Sequence, residues 1–276
     1  MLLQPRYGSN PVITLDGSPG EIAAPSIRQR ERLLGVLATL SDEQWNAPSR
    51  CEGWTIRDCM VHLESTNGYW ETSIRAGVAG TPTEFLASFD PAASPAAMVA
   101  ASELSPSEVI DKMRASAQAL NDLLGSLAAE DWEALAEAPP GHISVSAVTH
   151  HALWDSWVHE RDVLLPLGLD VAEEPDEIEA CLRYASALAL SFGLMSGQQN
   201  DLAFSVDVTG PSVSFDATVT NVVAITRGAT SGDVATGDAV ELLEAVSRRA
   251  PFGTSTPEAI QRAFDGLGRA FDQITD

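Results

Sequence analysis

The stretch His151–Asp162, HALWDSWVHERD, sets two imidazoles and two carboxylates at spacings of four, four and three residues. On a helix, residues four apart stack on one face. Asp155 and His159 therefore project together, with His151 one turn earlier and Asp162 three residues later. At 100° per residue the four side chains fall within an arc of roughly 80°. The remainder of the helix is apolar nearly all round, with Val145, Val148, Leu153, Trp157, Val158, Val163 and Leu164. Such a helix is normally buried. Its ionisable stripe must offset the desolvation of those groups, and a divalent cation does so well.

Composition bounds the setting. The chain has 276 residues, 45% of them hydrophobic and 20% charged, which are globular values. That length suffices for one large domain or two ordinary ones. Sixteen basic against 39 acidic residues give a net charge of −23. Such a surface repels phosphate backbones and anionic head groups, so no nucleic-acid or membrane partner is expected. Cys51, Cys59 and Cys181 lack CxxC spacing, which argues against a zinc knuckle or a disulfide framework and for a reduced, cytoplasmic setting. The N-terminal MLLQPRYGSNP has no apolar core of signal-peptide length, and the run Ala185–Gly197 is too short to span a bilayer.

The elements that must position the stripe follow from periodicity. Residues 1–25 read as an irregular extension, and helical spacing starts near Ser26, a candidate N-cap. Thr55 with Asp58 three residues on opens a second helix running to about Gly77, with Ile56, Cys59, Met60, Leu63 and Trp70 on its inner face. His62 lies on the flank of that face. Residues 79–106 read as a long connection, and a third helix spans Ser107 to about Leu127. Pro139-Pro140-Gly141 breaks the chain, Ser144 opens the fourth helix, and Gly168 ends it. Four helices with loops between them make a bundle, and bundle cores commonly host metal sites. Beyond residue 171 a helix runs from Pro175 to about Met195, and then residues 203–208 and 213–219 alternate with period two. A third strand is expected at Asn221–Thr226, a helix from Asp238 through Arg249, and a last helix from Pro257 to Phe271. The expected fold is thus mainly α plus α+β: a helical bundle over 26–171, then a small antiparallel sheet with helices over 172–276.

Three segments resemble the mycothiol-dependent maleylpyruvate isomerase family, within the wider DinB-like superfamily of metal-binding bundles. LSDEQWNAPSRCEGWTIRDCMVHL, Leu40–Leu63, is similar to the family's Trp–loop–Gly-Trp signature ending in His-Leu. DSWVHERDV, Asp155–Val163, is similar to its ExxxH…D segment. ATGDAVELLEAVSRR, Ala235–Arg249, is more distantly similar to the family's sterol-carrier-like C-terminal domain. The resemblance implies a divalent metal, usually zinc, held by His62, Asp155 and His159, with mycothiol as the thiol cosubstrate. It also implies small-molecule partners, the thiol and an electrophile; the oligomeric state stays open. The sequence departs from the family at Asp155, where Glu is usual, and at Ser247-Arg248-Arg249, where Gly-Arg is expected. Asp is one methylene shorter and still a zinc ligand.

Two His and one carboxylate leave a fourth position open, the arrangement of a catalytic zinc. A thiol bound there loses its proton and becomes a nucleophile at neutral pH. In the family the thiol adds to a cis-enoyl bond, the bond rotates, and elimination gives the trans isomer; relatives transfer the thiol to other electrophiles. Asp162 would orient His159, and His151 would serve as an acid–base group or spare ligand. Arg248 and Arg249 are candidates for binding an anionic cosubstrate. The blander readings have His142 exposed in its Gly-Pro loop and His150 turned away from the site. Cys59 then reads as a small hydrophobe and Trp54, Trp154 and Trp157 as packing residues. Two rivals stand beside the thiol enzyme: a metal-dependent hydrolase with water at the open position, and a non-catalytic small-molecule binder.

Overall fold

The computed structural model describes residues 5–88, 93–197, 201–230 and 232–268. In chain order the elements are β1 (Ile13–Leu15), α1 (Ala23–Leu37), α2 (Asp42–Trp45), α3 (Ile56–Val78), α4 (Ala93–Ala100), α5 (Pro106–Ser126), β2 (Leu135–Ala138), β3 (Gly141–Ser144) and α6 (Val145–Leu164). There follow α7 (Pro175–Met195), β4 (Leu202–Thr209), β5 (Val213–Val219), β6 (Val223–Arg227), β7 (Val234–Asp238), α8 (Ala239–Val246) and α9 (Glu258–Phe264). The fold is mainly α plus α+β, as the periodicity implies. Helices α1, α3, α5 and α6 pack on one another as a four-helix bundle. The expected end of the last helix at Phe271 lies outside the described residues.

Local chemistry explains the helix starts. Thr55 caps α3 in a reciprocal box with Asp58: the hydroxyl accepts from the Asp58 amide at 3.2 Å while the Asp58 carboxylate accepts from the Thr55 amide at 3.0 Å. Ser105 and Glu108 do the same for α5, with Pro106 at the first helical position, where its missing N–H costs nothing. Ser144 accepts from the Ala147 amide and opens α6. Leu165-Pro166-Leu167 tightens into a 3-10 turn after α6, and Gly168, in the left-handed region at φ 66°, ends it. As the apolar pattern requires, α6 is buried on almost every face.

Several expectations need correction. The N-terminal stretch is not irregular throughout: Ile13–Leu15 forms β1, which pairs in parallel with β6. Three residues are too few for a period to show, so only the partner strand reveals it. Ser26 does not cap the first helix but lies buried inside α1. The connection over 79–106 contains a 3-10 turn at Phe85–Ser88 and helix α4. The sheet is mixed rather than antiparallel, in the order β1-β6-β5-β4-β7, with β1 and β7 both parallel to their neighbours. Strand β7 and the β2–β3 hairpin are further additions.

His142, expected to be exposed, is buried. It sits on β3 beneath the N-terminal segment, with Nδ1 3.1 Å from the Gly8 carbonyl oxygen and Nε2 3.1 Å from that of Thr83. Gly141 makes this possible. Its φ of 120° suits glycine, and a Cβ there would collide with the Arg6 backbone, which pairs across it.

Helix α7 packs on α6 on one side and on α8, α9 and the sheet on the other. One apolar cluster therefore runs across the expected boundary near residue 171, from Trp70 and Leu153 through Tyr184 and Leu188 to Phe204 and Phe215. By length and composition α7 alone among the described helices is apolar enough to cross a membrane, but 78% of that window is buried inside the protein. A second cluster, with Leu33, Trp45, Ile56, Met60 and Val163, lies beneath the loop that carries Cys51.

Candidate metal centre and cavity

Helices α3 and α6 pack face to face and bring His62 against the stripe of α6. One ligand atom each from His62, Asp155 and His159 lies within 4.8 Å of the others. Asp155 Oδ1 stands 3.6 Å from His159 Nε2 and 3.9 Å from His62 Nε2. Tetrahedral zinc holds N and O donors at 2.0–2.2 Å, which sets neighbouring donors about 3.4 Å apart. The two separations from Asp155 are within about half an ångström of that spacing, so the three residues suit a small divalent cation as ligands.

Surrounding bonds aim the lone pairs inward. Asp162 Oδ2 lies 3.1 Å from His159 Nδ1, so the imidazole donates there and presents Nε2 to the site. Thr66 Oγ1 donates to Asp155 Oδ2 at 3.1 Å, leaving Oδ1 directed at the two histidines. Asp162 is itself fully buried and gripped by Arg249, whose Nε donates to Oδ1 at 2.8 Å and Nη2 to Oδ2 at 2.7 Å. The backbone amide of Arg50 donates to the Asp162 carbonyl oxygen at 2.9 Å, tying the Cys51 loop to α6.

The electrostatics agree with a cation-binding site. Burial opposes ionisation of Asp155 and Asp162. For Asp155 the imidazoles of His62 and His159 outweigh that, and for Asp162 His159 and Arg249 do, so both carboxyls lie below the usual range. Burial likewise disfavours a charged His159, but its bonds to Asp162 and Cys51 and the Asp155 charge prevail, lifting it to about 10. A divalent cation competes with that proton for the same nitrogen.

His151 does not join the ligand set. Its Nδ1 is 2.6 Å from the Tyr184 hydroxyl, and burial, partly offset by Asp155, holds its pKa down to about 4. It is therefore neutral at pH 7 and lines the cavity as an acceptor or donor of hydrogen bonds rather than as an acid. His150 faces away, with Nδ1 2.8 Å from the Ser146 carbonyl oxygen. Trp157 is buried under the Arg161 guanidinium, whereas Trp54 and Trp154 line the cavity.

Cys51 is the neighbour that periodicity does not reveal. It lies on a loop, and its thiol donates to Asp162 Oδ2 at 3.2 Å and sits 3.7 Å from His159 Nδ1. The neighbouring Cys59 thiol and burial push the Cys51 pKa up, so it stays protonated. With Cys59 and His159 it forms a second group whose ligand atoms lie within 4.8 Å. Cys59 is buried, in keeping with its reading as a small hydrophobe. Its place on the inner face of α3 hides that proximity in the sequence.

Arg248 and Arg249 reach the cavity through the end of α8. The Arg249 amide donates to the Glu244 carbonyl oxygen at 2.8 Å and the Arg248 amide to that of Ala245 at 3.0 Å, with Arg248 left-handed at φ 61°. Glycine usually fills this position of a helix-ending turn. The departure from the Gly-Arg pattern thus places an arginine where the backbone favours glycine, while the turn still directs Arg249 at Asp162. Arg249 therefore braces the site as well as lining the cavity, and Arg248 Nη1 donates to the Gly268 carbonyl oxygen at 2.8 Å.

These groups border a cavity of about 1210 Å³ whose walls come from α3, α4, α6, α7 and the end of α8. That is above the usual range of about 300–1,000 Å³ for a small-molecule site.

Comparison with known proteins gives the same fold and the same bundle. An uncharacterised protein of Mycobacterium tuberculosis, from strain CDC 1551 / Oshkosh, is 29% identical over 205 residues, covering 71% of this chain and 72% of its own. Its counterpart in strain ATCC 25618 / H37Rv matches to the same extent. The crystal structure of a mycothiol-dependent maleylpyruvate isomerase is 17% identical and superposes with a TM-score of 0.61 over 85% of this chain and 91% of that one. A histidine-to-alanine mutant of a mycothiol-dependent maleylpyruvate isomerase superposes with a TM-score of 0.60 at 16% identity, over 84% and 90%. At such identity these structures speak for the fold. Residues 28–164, which hold most of α1 and all of α3, α5 and α6, match the mycothiol maleylpyruvate isomerase N-terminal domain.

Proposed function

We propose that this protein is a metal-dependent enzyme that uses mycothiol, a small thiol, as its nucleophile. The reaction is either isomerisation of a maleylpyruvate-like cis-enoyl acid or transfer of the thiol to an electrophile. The observation that carries this reading is the convergence of His62, Asp155 and His159 on one wall of a large cavity, with no fourth protein ligand in that group among the described residues. A divalent metal held there, zinc by the chemistry of the donors, supplies Lewis acidity that makes a bound thiol a thiolate at neutral pH.

The chain's own residues do the rest. Asp162 keeps His159 in the tautomer that offers Nε2, and Arg249 keeps Asp162 ionised and fixed. Thr66 holds the Asp155 carboxylate so that one oxygen faces the histidines. His151, neutral and anchored on Tyr184, is placed to accept a hydrogen bond or proton from a group in the cavity. Arg248 is proposed to meet an anionic group of the thiol or the electrophile. Three free thiols suit the reducing, cytoplasmic setting in which a small-thiol cosubstrate stays reduced.

The test is zinc titration of the purified chain, followed by turnover of maleylpyruvate and of a thiol-reactive electrophile with and without mycothiol. Zinc binding with thiol-dependent turnover is expected. Turnover without thiol would assign the hydrolase, and absence of both metal binding and turnover would assign a non-catalytic binder. His159→Ala should abolish zinc binding and leave the helical content, because the bundle has its own apolar core.

A further inference from the structure

The cavity is far longer than the metal centre needs. From Asp155 its wall continues through His151 to Trp70, Tyr69 and Phe85, ring centroid to ring centroid at 4.5, 4.8 and 5.9 Å. Tyr69 lies seven residues along α3 from His62, about 10 Å along the helix axis. Val158, Leu188, Phe192, Met98 and Val99 complete an apolar lining. The only arginines among its described lining residues are Arg248 and Arg249, no lysine is among them, and Arg249 is held by Asp162.

Exposure supports the same direction. Four large hydrophobic residues are exposed among those described, and two of them, Phe85 at 56% and Met98 at 47%, border this cavity. Apolar side chains left exposed at the edge of an apolar cavity extend the surface that a ligand can bury. A short dicarboxylate uses the charged end and leaves the aromatic row with nothing to contact.

We infer that the ligand of this cavity carries an extended apolar body, an alkyl chain or an aryl group, laid along the Trp70–Tyr69–Phe85 row with its reactive carbon at the His62–Asp155–His159 end. This rests on the thiol-transfer reading for the chemistry: the electrophile is an apolar α,β-unsaturated carbonyl compound. The sulfur–carbon bond forms at the β carbon as the S–H bond is lost. The π pair of the C=C bond moves to the α carbon, which takes up the proton, so no oxidant or reductant is required.

The experiment separates binding from chemistry, on the zinc-loaded full chain. Binding of unreactive butanoate, hexanoate, octanoate and decanoate is followed by calorimetry. Conjugation of mycothiol to butenal, octenal and decenal is followed in parallel. The dissociation constant is expected to fall about three- to fourfold per added methylene until the row is filled. Phe85→Glu and Met98→Glu, at exposed positions that tolerate charge, should each weaken decanoate at least tenfold and leave butanoate unchanged. Affinity independent of chain length, or decanoate binding indifferent to both variants, overturns the inference. Chain-length dependence with no thiol consumed by any enal leaves the apolar-ligand assignment standing and sinks the thiol-transfer reading instead.

Discussion

Asp155→Asn isolates the charge of one proposed ligand at nearly constant shape. Asp155 Oδ2 accepts from Thr66 Oγ1, and Oδ1 faces His62 and His159. An asparagine can keep Oδ1 in place and turn its amide toward Thr66, whose hydroxyl has the Leu63 carbonyl oxygen at 3.1 Å as an alternative acceptor. Folding should therefore survive, while the anionic donor is lost. Removing groups that merely orient a metal ligand costs roughly 10–100-fold in affinity. Loss of a charged ligand itself should cost at least about 100-fold, or about 2.8 kcal/mol. Asp155→Glu adds one methylene beside an open cavity and restores the carboxylate, so it should stay within about tenfold of the parent. The assay is zinc competition against a chromophoric chelator at fixed pH, with thermal melting of the metal-free proteins as control. If Asn binds zinc as tightly as the parent, or Asn keeps the metal where Glu loses it, Asp155 is no ligand and the thiol-enzyme proposal falls with it.

Three further outcomes are expected. Asp162→Asn should weaken zinc roughly 10–100-fold while helical content persists, since it removes the acceptor for His159 Nδ1; unchanged zinc affinity in chelator competition contradicts that role. Buried Glu137 accepts from the Tyr7 and Thr83 hydroxyls and the Phe85 and Leu86 amides, so Glu137→Gln turns an NH₂ on a backbone N–H and should cost about 1–3 kcal/mol in urea unfolding, with faster exchange of those two amides; unaltered exchange refutes the anchoring. Burial lowers His150 from 6.5 to about 4, so the unfolded chain binds the extra proton first: this contribution to stability is complete above pH 6.5 and is lost as pH falls toward 4, about 3 kcal/mol in all. His150→Gln should flatten the stability–pH slope in that window, and an identical slope in the variant rules the group out.

What periodicity could reach is local. Asp155, His159 and Asp162 share a helix, so the 100° step alone aligns them, and the apolar surround of α6 predicts its burial. The caps at Thr55 and Ser144 are short-range hydrogen bonds, legible for the same reason. The family likeness supplied His62, which no spacing connects to α6 because 92 intervening residues separate it from Asp155. The rest depended on contacts between distant segments. Cys51 and Thr66 carry no periodic signal of their own role; the packing of α3 and its preceding loop on α6 brings them to the site. Arg249 arrives from beyond the sheet through a helix-ending turn that also holds Arg248 at positive φ, and it meets Asp162 rather than only a ligand. Strand β1 exists because β6 offers an unpaired edge, and His142 is buried because the segment carrying Gly8 closes over a hairpin whose glycine admits another backbone. Side-chain type and helical step are properties of a few adjacent residues, whereas burial, ligand geometry and the length of the aromatic row depend on which surfaces meet.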